Sequence, residues 1–270
     1  MKNFGLDIKP RAPEDFEHQL GASKIHKTVH RPDGQWISDV PIGEMQERLG
    51  VETMSCVSFG TLSILEMIEE VKFGRISNYS DRFLAIASNT TTSGNDPKVV
   101  AQTLRKVGAI DEDSLPFTDN ILTFDEYHSP KPLPQRLLNE GRKWLEKFEL
   151  SYEWVTPTPE NLMEELKYGP VGIAVEAWNK GEKGYYYGGE NSNHWTALVG
   201  FDKGNFWIVF DSYPETSGSY IKLLDWSYTF KIAMSYSLNK KENIENKWWY
   251  WLWPFFGADR YAQGDIVPVL

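Results

Sequence analysis

The chain has 270 residues and a net charge of −10, from 28 lysines and arginines against 38 aspartates and glutamates. This charge argues against nucleic acid and against anionic lipid as partners. The only cysteine excludes an internal disulfide and a cysteine-based zinc cluster. The N-terminus lacks the apolar core of a secretory signal, and no stretch approaches the ~20 apolar residues of a transmembrane segment.

The first elements in chain order are an extended segment and a buried helix. Residues 1–45 contain four prolines and little periodicity, which predicts an N-terminal segment that wraps the rest of the chain. From Cys56 to Val71 the apolar residues point in most directions around a helix, as in a helix buried nearly all round. Thr53 or Ser55 can cap its start, and Gly74 can end it.

Further helices come before a run of strands. Helices are predicted over 96–108, 133–148 and 158–170, the first of them with Asp96 as N-cap. Five strands are then predicted from 171 to 238: VGIAVEAW, HWTALVGFD, FWIVFDSY, YIKLLDW and KIAMSYSL. This order predicts an α+β protein. Its predicted parts are the N-terminal segment 1–45, a helical lobe at 46–150, a β lobe at 151–238, and a linker with an aromatic tail at 239–270.

One predicted hairpin brings two chemical groups together. His194 begins a strand and Asp211 follows the next one. A two-residue turn at Lys203-Gly204 would pair Thr196 with Asp211 and make His194 a diagonal neighbour of Asp211. The carboxylate could then accept a hydrogen bond from the imidazole and fix its tautomer. A purely structural hydrogen bond remains the alternative.

A thiol at the start of a helix, followed far downstream by a histidine and a carboxylate, is the order of Cys56, His194 and Asp211. Over residues 36–238 the chain resembles the papain-like (C1) cysteine peptidases. Five ordered blocks carry the resemblance, the last of them formed by two strands: SCVSFGTLSILE, NYSDRFL, SGNDPKVVAQTLRKVGAIDEDSLPF, LKYGPVGIAVEA, and NHWTALVGFD with FWIVFDSY.

The resemblance implies a two-lobed fold, with a central nucleophile helix in the helical lobe and an antiparallel β-barrel-like second lobe. It implies that Cys56 is the nucleophile, that His194 is the acid and base, and that Asp211 orients His194 from the position where the family usually has Asn. Gln46 best represents the oxyanion-hole glutamine. It lies farther before Cys56 than is usual, so the intervening loop must be longer.

The resemblance also implies a peptide or protein substrate and no cofactor or metal. The residues expected to bind the substrate are Gly94, Asn95, Asn193 and Tyr213. The lack of a signal, of disulfides and of an inhibitor domain suggests a divergent bacterial or phage-type member, cytoplasmic or virion-associated.

Other functions and a possible partner remain open. The chain could be a related amidase or transglutaminase-like acyl-transfer enzyme, or a non-catalytic component of a larger assembly such as a phage virion. Residues 247–270 crowd aromatic side chains beyond the last predicted strand. Such a surplus is typical of interfaces, so we expect this tail to dock on a protein partner; packing on its own core is the alternative.

Overall fold

A computed structural model describes residues 2–11, 17–18, 28–181 and 184–241, with 17–18 described for the backbone alone. The aromatic tail at 247–270 lies outside these residues, so its docking stays a prediction. No helix in the described part of the chain is long and apolar enough to cross a membrane.

Six α-helices lie in the described residues, five of them before the main strands. They are α1 (Cys56–Phe73), α2 (Asp81–Ala87), α3 (Pro97–Val107), α4 (Phe124–Tyr127), α5 (Gln135–Lys147) and α6 (Pro159–Glu165). Gly74 ends α1 in the left-handed conformation, at φ 63°. Asp96 caps α3 by accepting the backbone N–H groups of Lys98 and Val99. Both helix ends were predicted from the sequence and are confirmed.

The described strands form one large sheet and one small hairpin. The strands are β1 (Glu17–His18), β2 (Glu47–Arg48), β3 (Val51–Glu52), β4 (Phe148–Val155), β5 (Val171–Val175), β6 (Asn179–Lys180), β7 (Tyr186–Tyr187), β8 (His194–Asp202), β9 (Phe206–Phe210), β10 (Ile221–Asp225) and β11 (Ala233–Lys240). The large sheet has the order β1-β4-β11-β5-β8-β9-β10-β7-β6, and β2 pairs with β3.

The large sheet is open, whereas a barrel-like lobe was expected. Its edge strands, β1 and β6, have two residues each and do not pair with one another. Most neighbours are antiparallel, as predicted, but β1 pairs with β4 and β7 with β10 in parallel. The mixed α+β architecture is confirmed.

Trp195 determines how closely α1 packs on the sheet. This fully buried side chain of β8 lies between Gly60 of α1 and Gly172 of β5. A Cβ atom on Gly60 would lie 2.9 Å from Trp195 Cδ1, so only glycine leaves room for the ring there. The close contact places the first turn of α1 beside the first residues of β8.

Candidate active site

Cys56 is the first residue of α1 and is completely buried. Backbone groups of Trp195 and Val57 close to its sulfur favour the thiolate and act to lower the pKa of the thiol. Trp195 directly follows His194 in β8, so the thiol lies beside the strand that carries the histidine. The helix start therefore positions Cys56 against the beginning of β8, as a nucleophile and its proton carrier require.

The β8–β9 hairpin brings His194 and Asp211 into direct contact. His194 Nε2 lies 2.5 Å from Asp211 Oδ1, and both side chains are fully buried. His194 Nδ1 has no hydrogen-bond partner within the part of the chain that the structure describes. The carboxylate thus holds Nε2, and Nδ1 remains available to exchange a proton.

The predicted turn of this hairpin was wrong, yet the predicted register near the site is right. Asp202 pairs with Phe206, so the loop has three residues instead of two. A β-bulge between Leu198 and Gly200 absorbs the extra residue, and Ala197 pairs with Phe210. The pairs Ala197–Phe210 and Leu198–Val209 have the register that the two-residue turn predicted, in which the next pair would be Thr196 and Asp211.

Lys222 is a member of the site that was not found from the sequence. Its Nζ lies 2.8 Å from Asp211 Oδ2, in a pair that is almost completely buried. Burial would raise the pKa of Asp211, but His194 and Lys222 outweigh it and hold the pKa below its usual value. A signal was present: strand alternation places Lys222 on the same inward face as Leu224.

The surroundings of Cys56 favour a neutral thiol, whereas a helix N-terminus by itself favours a thiolate paired with an imidazolium. Burial raises the pKa of the thiol well above its usual value, and the charges of Glu52 and Asp211 raise it further. The backbone groups of Trp195 and Val57 only partly oppose this rise in the pKa. In the described conformation the neutral thiol is therefore the favoured form, because water does not reach the sulfur.

Gln46 lies next to the site because the longer loop before Cys56 folds back. Residues 47–52 form the β2–β3 hairpin, which turns through Leu49 and Gly50, both with positive φ. The hairpin brings Glu52 beside Gln46, whose Nε2 donates to Glu52 Oε1 at 2.7 Å. The same Nε2 donates to the carbonyl of Phe4 at 2.7 Å. Both amide hydrogens of Gln46 are therefore engaged.

An N-terminal stretch, residues 2–9, lies extended across the site, and we call it the covering segment. Phe4 N–H donates to the carbonyl of Asn193 at 3.0 Å. Asn95 N–H donates to the carbonyl of Gly5, and Asp7 N–H donates to the carbonyl of Asn95, both at 2.9 Å. These are backbone bonds of the kind that hold an added strand, and they require no particular side chains.

All four residues expected to bind substrate touch this covering segment. Asn95 and Asn193 bond to it as described above. A Cβ atom on Gly94 would collide with the backbone of Gly5, so the close approach requires glycine there. The Tyr213 ring packs edge-to-face on the ring of Phe4, with 5.4 Å between centroids. The described conformation thus has a polypeptide where a substrate was expected.

The chain was also compared with known proteins, and no protein-family model matches it. The thiol protease SEN102 of Hemerocallis sp. is 25% identical over 63% of this chain and 48% of its own length. The match therefore spans about half the length of that relative.

Solved structures give a broader match. Xylellain, a cysteine protease from Xylella fastidiosa, superposes with a TM-score of 0.59 at 15% identity, covering 88% of this chain and 96% of its own. The cysteine protease and lectin-like domains of a surface-layer-associated protein of Clostridium difficile give 0.64 at 16% identity, covering 90% and 57%.

Proposed function

We propose that this chain, which has the fold of papain-like cysteine proteases, is a peptidase that cleaves peptide bonds through a thioester on Cys56. One observation favours a peptide as the substrate. The residues around Cys56 already hold an extended polypeptide, the covering segment, through its backbone N–H and C=O groups. Such a groove fits a peptide better than the glycan-linked amide of a cell wall, because it recognises the repeating main chain.

The reaction follows from the three buried groups. His194 first takes the proton of the Cys56 thiol, and the thiolate then attacks the scissile carbonyl carbon, so that a bond forms from Sγ to that carbon. His194 gives its proton to the leaving amine as the peptide bond breaks. His194 then takes a proton from water, which attacks the thioester and releases the acid and the thiol. Asp211 holds His194 Nε2 throughout, and so fixes which nitrogen faces the reaction.

Gln46 is the proposed donor to the developing oxyanion. Its Nε2 already donates to a carbonyl, that of Phe4, in the bond that a substrate carbonyl would take. One such donor stabilises the transition state by ~3 kcal/mol. A substrate must therefore displace the covering segment before it can use Gln46, so the described conformation is the resting form of the proposed enzyme.

The test is hydrolysis of a quenched-fluorescence peptide library, with a cell-wall muropeptide as the second substrate. We expect cleavage of peptides by the wild type and none by Cys56→Ala, with equal melting temperatures. Cleavage retained in Cys56→Ala would overturn the mechanism. Cleavage of the muropeptide alone would overturn the peptide substrate, and a lack of both would favour a non-catalytic domain.

A further inference from the structure

Lys222 is a deeply buried lysine beside the proposed catalytic groups. It is 3% exposed, and its ammonium lies over the ring of Trp178, 5.1 Å from the centroid. It forms the ion pair with Asp211 and also donates to the backbone carbonyl of Tyr213. Lysine is almost never buried to this degree without a partner. The position of this charge is therefore set by Asp211 and the chain that follows it.

The two oxygens of Asp211 are divided between two partners. Oδ1 lies 2.5 Å from His194 Nε2, and Oδ2 lies 2.8 Å from Lys222 Nζ. The hydrogen bond at Oδ1 and the ion pair at Oδ2, which lacks the geometry of a hydrogen bond, together restrain the rotation of the carboxylate about its own axis. A carboxylate held only by His194 would be free to turn, and the direction of the imidazole would then be less well defined.

The charge of Lys222 matters as well as its position. The group that holds His194 is a carboxylate, which carries a charge that a neutral carboxamide would not. The carboxylate adds a negative charge near Cys56, which works against the thiolate. The ammonium of Lys222 offsets that charge, so the pair is neutral as a carboxamide is.

We propose that Lys222 is a positioning residue of the site: it orients Asp211 toward His194 and cancels its charge. The Asp211–Lys222 pair then acts as one neutral hydrogen-bond acceptor. This inference rests on the proposed function, in which Cys56 is the nucleophile and His194 its proton carrier.

Several titratable groups surround this pair on neighbouring elements and contribute to its pH dependence. Those that face Asp211, Lys222 or the thiol are Cys56, His194, Tyr213, Glu52, Tyr186 and Glu215. Variants that change only Lys222 and Asp211 leave all of these groups in place, so the comparison isolates the pair.

The test is a double-mutant cycle of Lys222→Met, Asp211→Asn and both together. The readout is the rate of Cys56 alkylation by iodoacetamide against pH, which is unambiguous because the chain has one cysteine. We expect Lys222→Met to raise the midpoint by ~0.5–1 pH unit, because the charge of Asp211 is then uncompensated. We expect the double variant to return to the wild-type midpoint, and to hydrolyse peptide at least ~10-fold faster than either single variant.

Each single variant is expected to hydrolyse peptide more slowly, because each leaves one buried charge without its partner. The matched control is Lys231→Met, which breaks the exposed ion pair with Glu190 and should not move the midpoint. Unchanged midpoints in Lys222→Met, or a double variant no faster than the single ones, would overturn the inference. The midpoint needs no turnover, so a wild type that alkylates but cleaves nothing would overturn the proposed function alone.

Discussion

At the scale of single residues, a variant of Gln46 distinguishes acyl transfer, which needs an oxyanion donor, from alkylation of the thiol, which does not. Its amide donates to the Phe4 carbonyl, and the proposed reaction uses the same hydrogens for the oxyanion. We expect Gln46→Ala to lower kcat/KM for a peptide ~100-fold or more. Alkylation of Cys56 by iodoacetamide forms no oxyanion, so its rate should not fall. Both rates are measured on the same protein.

The control for Gln46 is Gln35→Ala, because Gln35 also donates its amide to a backbone carbonyl, that of Phe201 at 2.8 Å. It should change neither rate. An equal loss of alkylation and hydrolysis in Gln46→Ala would mean that the residue supports the local fold only, and that the oxyanion assignment is wrong.

At the scale of secondary structure, the sequence predicted elements where its pattern was periodic. The apolar helix from Cys56, the capped helix after Asp96 and the strands at β5 and β8–β11 were all predicted because their own side chains show the period. A wrapping segment was predicted over 1–45, but the place of the covering segment across the site was not, because backbone bonds hold it to residues about ninety to a hundred and ninety positions away. Such bonds leave no pattern in the sequence.

Removal of the covering segment tests its effect on the thiol. We expect deletion of residues 2–9 to expose Cys56 to water and so to relieve the desolvation that raises its pKa. We expect faster alkylation at pH 7, with a midpoint at lower pH than in the wild type. Phe4→Ala, which removes a ring packed on His194 but keeps the backbone bonds, should give a smaller change. A folded deletion variant with unchanged alkylation would contradict the account.

The close packing of α1 on β8 can be tested at the same scale by its effect on stability. Gly60→Ala adds a Cβ atom where the Trp195 ring leaves no space. We expect the free energy of unfolding to fall by ~1–3 kcal/mol, because one of the two elements must shift. Urea unfolding measures it, with Ser63→Ala on the same helix as the control. A Gly60→Ala protein as stable as the wild type would show that the helix packs less tightly than described.

At the scale of the whole molecule, a group of acidic side chains gives stability a pH dependence. Burial raises the pKa of Glu112 to about 7, and it raises those of Glu66 and Asp81 well above their usual values. These groups hold a proton in the folded state at a pH where the unfolded chain has lost it. The contribution of Glu112 is present below pH ~4 and is lost as pH rises toward about 7.

We therefore expect Glu112→Gln to flatten the fall in unfolding free energy between about pH 5 and 8. Gln keeps an oxygen for the backbone N–H of Phe117, which Glu112 accepts at 2.9 Å. Glu146→Gln, an exposed residue of α5, removes one charge at the surface and should leave the slope nearly unchanged. Equal slopes for wild type and Glu112→Gln would contradict the shifted pKa.

The central claim, that Cys56 carries the acyl group, is tested most directly by trapping the intermediate. The wild-type protein is mixed with an activated peptide ester, quenched in acid within its first turnovers, and digested for mass spectrometry. We predict the mass of the acyl group on the peptide that contains Cys56, and no adduct in Cys56→Ser. Ester hydrolysis that proceeds without an adduct on Cys56, or that persists in Cys56→Ser, would contradict the account.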